Sequence, residues 1–439
     1  MTLLFAVEAA NSRLDRFERM WHDHLMLRYE IPYNMPVKRI LPGLLLVSVL
    51  GCGGGGSDSG TNPTPRGRAK WTVLVYMNSA NDLSNYSDDN VNQMERLAAN
   101  PDVNFVVQWK KAKGWWDNTP TFTGTRRYLI GHDTSDAIKS RMLQDMGGDV
   151  DMGSTETLAD FVEWGKANYP SDKVLVVLWD HGTGWQRSVS KPVSRSISDD
   201  FATGSKIFAW DLANGFRSKV DVIATDACLM QMVEVGYQLR EKCDYFVASE
   251  DLVPAAGYPY DRVFASMASR ADTSPATFAS ALATTYASTP ESPWNSWSMQ
   301  QSAVETAKLP ALVTALDVFA GALIENRESI ATIVTTARDA ARAYDPRFRR
   351  TYLDLIDVAT RIGGSDAPDA VKTAAARVTA AARAAVTANG VNEFGEGGNG
   401  IAIDFSPASE FEGTNKEEDY GRLDIAKDSR WDEWLKVAP

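Results

Sequence analysis

Only three cysteines, Cys52, Cys228 and Cys243, and four histidines, His22, His24, His132 and His181, occur in the 439 residues. A thiol beside an imidazole can perform acyl transfer: the ring takes the sulfur's proton, the thiolate adds to a carbonyl, and the protonated ring returns the proton to the leaving group. Few residues compete for either role. His181 follows an apolar run and opens a glycine-containing cluster, Val174-Leu175-Val176-Val177-Leu178-Trp179-Asp180-His181-Gly182-Thr183-Gly184-Trp185. Cys228 ends a second such run, Val222-Ile223-Ala224-Thr225-Asp226-Ala227-Cys228-Leu229-Met230.

Both runs read as strands, and in a parallel sheet all strands end at one edge, where α/β proteins place their sites. That puts His181 and Cys228 on the same rim. Gly182 and Gly184 let the backbone turn tightly, so that the N–H groups of Gly182 and of Cys228 itself can meet an oxyanion. Asp226, two residues before Cys228, shares its side if the strand continues, and an acid there could hold a basic substrate side chain. A helix expected over 229–240 would begin at Cys228 and lend the thiol positive potential. Asp180 either orients the imidazole or caps its loop.

Taken singly, a buried Cys is a small apolar core residue and a His past a strand is a turn residue. The chemical reading rests on finding both at one edge. His132, in Gly131-His132-Asp133, is the rival base but has no strand-end cluster around it. Cys243 lies beyond the 229–240 segment. A helix of about 12 residues advances roughly 18 Å, whereas bridged Cα atoms lie within about 7 Å, so Cys243 is expected to be a core thiol rather than a partner of Cys228.

The elements that must carry these residues are short apolar runs at 71–77, 103–109, 173–179, 220–225 and 245–248. Apolar at consecutive positions, they suit strands buried on both faces of a parallel sheet. Between them, 154–168 has Ser154 or Thr155 as N-cap and an apolar stripe of Leu158, Phe161, Val162 and Trp164. Strand and helix in alternation predict a doubly wound α/β layer fold over 71–255. From about residue 256 the texture becomes Ala-rich and helical, with helices expected at 275–289, 303–326, 330–344 and 370–389. A glycine-rich break at 395–400 then precedes one late strand at 401–405. Residues 256–439 are therefore expected to form a helix-rich region packing on the first.

The N-terminus reads as an address. Lys38 and Arg39 precede an apolar run from Ile40 to Leu50 that ends at Gly51-Cys52 and continues into Gly53-Gly54-Gly55-Gly56-Ser57. This is the order of an export signal, and eleven helical residues rise only about 16 Å, too little to span a bilayer. Val49-Leu50-Gly51-Cys52 resembles the lipobox of bacterial lipoproteins, with Leu50 larger than usual, and implies lipidation of Cys52 after removal of 35–51. Met35 is then the expected start, residues 1–34 (with His22 and His24) lie upstream of the true protein, and 52–70 form a Gly/Ser/Pro tether. The expected location is the bacterial cell envelope, lipid-anchored at the outer membrane or periplasmic face. A formal charge of −12 argues against nucleic acid as the main partner.

The segments Trp179-Asp180-His181-Gly182-Thr183-Gly184-Trp185, Thr225-Asp226-Ala227-Cys228-Leu229-Met230, and Ala248-Ser249-Glu250 leading to Gly257-Tyr258-Pro259-Tyr260 resemble the clostripain family of cysteine peptidases, in the caspase, gingipain and legumain-like clan. Trp71 to Met77 followed by Asn81-Asp82-Leu83 is similar as well. The resemblance implies a caspase-like α/β/α sandwich and a cysteine endopeptidase in which His181 and Cys228 act as a dyad, with Asp226 at the floor of a pocket for Arg or Lys. It implies protein or peptide substrates with such a residue at the cleaved bond, and no required cofactor. Some relatives depend on calcium, for which Asp199-Asp200 is a candidate pair, far short of a calcium loop. Self-cleavage between His and Cys would fall in 186–196, with Arg195 as the candidate. Two rivals are a silent surface lipoprotein that binds peptides on a peptidase-like scaffold and a thiol-dependent amidase or esterase.

Overall fold

The computed structural model describes residues 68–186, 197–289, 296–344 and 351–439. Residues 1–67, which include the expected signal 35–51, Cys52 and most of the expected tether, and the loop 187–196, with Arg195, lie outside the described residues.

Fourteen strands occur among the described residues. In chain order they are β1 (Ala69–Asn78), β2 (Val103–Lys111), β3 (Gly124–Leu129), β4 (Arg141–Gly147), β5 (Ser171–Trp179), β6 (Ile197–Asp200), β7 (Ser205–Ile207), β8 (Val220–Asp226), β9 (Cys243–Ala248), β10 (Gln300–Glu305), β11 (Ala343–Tyr344), β12 (Tyr352–Asp354), β13 (Val386–Val391) and β14 (Ala402–Asp404). Nine of them form one sheet in the order β13-β10-β9-β8-β5-β1-β2-β3-β4. Its centre, β9-β8-β5-β1-β2, is parallel throughout. Pairs of antiparallel strands extend both edges. All five strands expected from continuous apolar runs are these central ones.

Alternation along β1 shows why the sheet is covered twice. Val73, Val75 and Met77 face one core with Val107, Val177 and Trp179, while Leu74 and Tyr76 face the other with Val106, Val176 and Leu178. The first core is closed by α1 (Ser84–Glu95) through Val91 and Met94, and by a second helix, Pro275–Ser288, through Phe278, Leu282 and Tyr286. The opposite core takes Leu158, Phe161 and Val162 from Thr155–Asn168, the long helix Leu309–Ala340, and the pair Leu355–Gly363 and Asp369–Ala385. Ser154 is the N-cap of Thr155–Asn168, its hydroxyl accepting from the N–H of Glu156.

Residues beyond 255 do more than pack on this layer. β10 hydrogen-bonds onto β9 and β13 onto β10 in the main sheet, where helix was expected over 303–326 and at the end of 370–389. Gln300-Gln301-Ser302-Ala303-Val304-Glu305 carries no strong strand propensity, and pairing with β9 and β13 decides its state. The break expected between 326 and 330 is absent, since Leu309–Ala340 runs through it as one helix. The helix expected over 229–240 is also corrected. Only Val233–Gln238 is α-helical, because Leu229 adopts a left-handed φ of 64° and the next residues run extended: the N–H of Gln231 donates to Ser249 O, and that of Ala402 to Gln231 O.

Candidate active site

Parallel pairing of β5 with β8 sets Trp179 opposite Asp226, and two further residues along each chain bring His181 and Cys228 to matching positions on the rim. The N–H of Asp180 still donates to Asp226 O (3.3 Å), so the two chains remain paired as they leave the sheet. Gly182 seals the approach: a Cβ there would collide with the carbonyl oxygen of Cys228 and stand 3.0 Å from its nitrogen. Only glycine lets the two loops touch backbone to backbone. The amides of Gly182 and Cys228 are thereby brought close together.

Cys228 is partly exposed, and its sulfur accepts a hydrogen bond from the N–H of Val253 (3.2 Å). Since the helix starts at Val233, five residues on, its N-terminus does not sit against the thiol as expected. The Val253 amide, on the loop after β9, instead places a donor where a thiolate would form.

The imidazole of His181 is 11% exposed, and its Nε2 lies 2.5 Å from Oδ1 of Asp82, a residue in the turn after β1. Asp180 does not touch the ring and takes the capping role. Its Oδ1 accepts from the His181 N–H (2.5 Å) and from Asn81 Nδ2 (2.7 Å), and its Oδ2 from the Asp199 N–H (2.5 Å). Burial, reinforced by Asp199, holds the Asp180 carboxyl well above the ordinary carboxylate range. Asp82 stands in the segment Asn81-Asp82-Leu83, where no residue type or spacing by itself points to the imidazole. The available signal was its place just past the end of another central strand, hence on the same rim.

Asp226 is 4% exposed. Its Oδ2 accepts from the Tyr258 N–H (3.0 Å) and the Tyr260 hydroxyl (3.1 Å). Its Oδ1 is buried without a hydrogen-bond partner among the described residues. Burial pushes this carboxyl up to about 7, against the lowering effect of the two tyrosine donors. Gly257, at φ +66°, turns the chain so closely over it that a Cβ would stand 2.7 Å from Oδ2.

The competitors lie elsewhere. Cys243 opens β9 opposite Val220, at the other edge of the sheet; it is a free, fully buried thiol whose pKa burial drives far up. His132 follows β3, which runs antiparallel to β2, so it too sits at that opposite edge, its Nδ1 2.9 Å from Leu97 O. Asp199 and Asp200 face lysines: Lys110 Nζ is 2.6 Å from Asp200 Oδ2 in a pair buried on both sides, and Lys206 Nζ is 3.4 Å from Asp199 Oδ1. No group of three or more His, Cys, Asp or Glu placed to hold a metal occurs among the described residues. Acyl transfer between a thiol and an imidazole needs no cofactor.

A mostly parallel sheet between two helical layers, with a thiol and an imidazole at matching ends of adjacent strands, defines the caspase-like class of α/β/α sandwich. The chain belongs to the clostripain family, whose model matches residues 75–437. Clostripain of Hathewaya histolytica is 25% identical over 218 residues, which are 44% of this chain and 41% of that protein, so the match spans less than half of the relative's length. A secreted C11 cysteine protease from Bacteroides thetaiotaomicron, solved with an irreversible peptide inhibitor, has a similar fold: TM-score 0.63 and 22% identity over 83% of this chain and all of that one. An inactive zymogen C11 protease from Parabacteroides distasonis gives TM-score 0.61 and 22% identity, covering 84% and 99% of the two chains.

Proposed function

We propose that the chain is an exported cysteine endopeptidase that cleaves after Arg or Lys. The observation that carries this reading is the register of β5 and β8, which sets His181 and Cys228 at equivalent positions with their loops in backbone contact. The thiolate of Cys228 adds to the scissile carbonyl, and the N–H groups of Gly182 and Cys228 steady the oxyanion. His181 then protonates the departing amine, leaving a thioester, and activates the water that hydrolyses it. Asp226 supplies the negative floor of the pocket: a buried carboxylate oxygen without a partner suits a guanidinium or ammonium that brings its own donors. Clostripain, the curated relative, supports this reading through its name and family.

Lipidation at Cys52 would tether the enzyme to the cell envelope, and cleavage after Arg195 would mature it. Intact mass of the purified protein tests both, since a chain without added lipid or without a cut removes the corresponding step. The function itself is tested by incubating wild type and Cys228→Ala with peptides bearing Arg, Lys or a neutral residue at the cleaved bond. Cleavage confined to the basic peptides and lost in the variant is the expected outcome. A mutant as active as wild type would move the nucleophile elsewhere, and no turnover under reducing conditions would return the chain to a binding role.

A further inference from the structure

We infer that Asp82 is a positioning residue that holds His181 as its Nε2–H tautomer, leaving Nδ1 as the nitrogen that exchanges a proton with Cys228. The role rests on the peptidase reading for its consequence in catalysis, but the tautomer does not.

The geometry is built from both sides. Asp82 lies between Asn81, which is buried, and Leu83, whose N–H donates to Asn81 Oδ1 (3.0 Å). The Asn81 amide is anchored by three acceptors, Asn78 O (3.2 Å), Asp180 Oδ1 (2.7 Å) and Asp199 O (3.0 Å). One of these, Asp180 Oδ1, also accepts from the backbone N–H of His181 (2.5 Å). A single buried oxygen thus ties the turn that carries Asp82 to the loop that carries His181, and the 2.5 Å contact between Asp82 Oδ1 and Nε2 follows from that link.

A carboxylate only accepts, so the nitrogen facing it must carry the hydrogen, and a neutral imidazole then keeps its lone pair on the other nitrogen. When the thiol of Cys228 transfers its proton to Nδ1, sulfur becomes thiolate and the ring becomes imidazolium. The new positive charge lies against Asp82, which stabilises it. The other ionisable groups bordering this loop are Asp180 beneath its backbone, Asp199 paired with Lys206, Asp226 in register, and the Cys228 thiol. Among these acids Asp82 is the one in contact with the ring. Because its side chain is 34% exposed, solvent weakens the effect, and the expected loss on neutralising it is about 10- to 100-fold, well below the roughly 10⁴-fold loss on replacing a fully buried triad acid.

The tautomer is read in the wild-type protein. In full-length protein labelled with 15N-histidine, at a pH above the ring's titration, the His181 signal (assigned by its loss in His181→Ala) should show protonated Nε2 and bare Nδ1. The reverse pattern overturns the inference. Kinetics test the consequence. Asp82→Asn should lower kcat about 10- to 100-fold with KM nearly unchanged. Asp82→Glu should recover part of the rate. An unchanged kcat overturns the role, and a raised KM with kcat intact overturns it and makes Asp82 a substrate contact. If wild type cleaves no peptide, alkylation of Cys228 by iodoacetamide, located by peptide mapping, still decides: slowing in both His181→Ala and Asp82→Asn supports the positioning role, and slowing in His181→Ala alone refutes it. Failure of the peptidase reading is thereby separated from failure of this one.

Discussion

Selectivity for basic residues should itself depend on pH, because the acid proposed to confer it titrates near neutrality. With its carboxyl pushed up to about 7, Asp226 is about one-tenth ionised at pH 6 and about nine-tenths at pH 8. Only the carboxylate attracts a guanidinium. The ratio of kcat/KM for an Arg peptide to that for a neutral peptide should therefore rise about ninefold across this interval, and taking the ratio cancels titration of His181 and Cys228, which both substrates share. Asp226→Asn should abolish the rise and lower the ratio at pH 8 by about 30-fold or more, since removing one partner of a buried charge pair costs about 2–5 kcal/mol. The stability of the free protein should move the other way. A carboxyl whose folded pKa lies above its unfolded value keeps its proton in the native state, so stability falls as pH rises from about 4 to about 7, and Asp226→Asn should flatten that slope. Asp226 also anchors the turn through Tyr258 and Tyr260, so thermal melts must accompany the kinetics. A ratio flat with pH in wild type, or an Asn variant that still prefers Arg, would mean that Asp226 only braces the turn.

Gly182→Ala should reduce kcat at least 10-fold while the fold survives, because its Cβ would force the His181 and Cys228 loops apart; activity beside circular dichroism checks this, and full activity would refute the close approach. Lys110→Met should strand a buried charge on Asp200 and cost about 3–5 kcal/mol, seen as a lower midpoint in denaturant, and a change under 1 kcal/mol would show the pair to be dispensable.

Legibility in the sequence followed how local the cause was. β1, β2, β5, β8 and β9 were readable because central parallel strands are buried on both faces, and that burial writes an unbroken apolar run. His181 and Cys228 were readable as a pair because each follows such a run, and parallel strands must end together. β3 and β4 carry Arg126, Arg127, Arg141 and Gln144 and send no such signal from the edge of the sheet.

What the sequence by itself determined is the central sheet, its rim, and the placing of His181 and Cys228 on that rim. The tertiary structure alone decided the state of 300–305 and 386–391, which become strands because β9 offers an edge to β10 and β10 in turn offers one to β13. It decided as well that the Val253 amide, not a helix start, faces the sulfur, and that Asp82 rather than the adjacent Asp180 touches the ring. The physical reason is the same in each case. Periodicity and propensity record how much of a residue is buried, whereas hydrogen-bond partners far apart in the chain are chosen by which backbone edges and side chains the folded sheet brings within 3 Å.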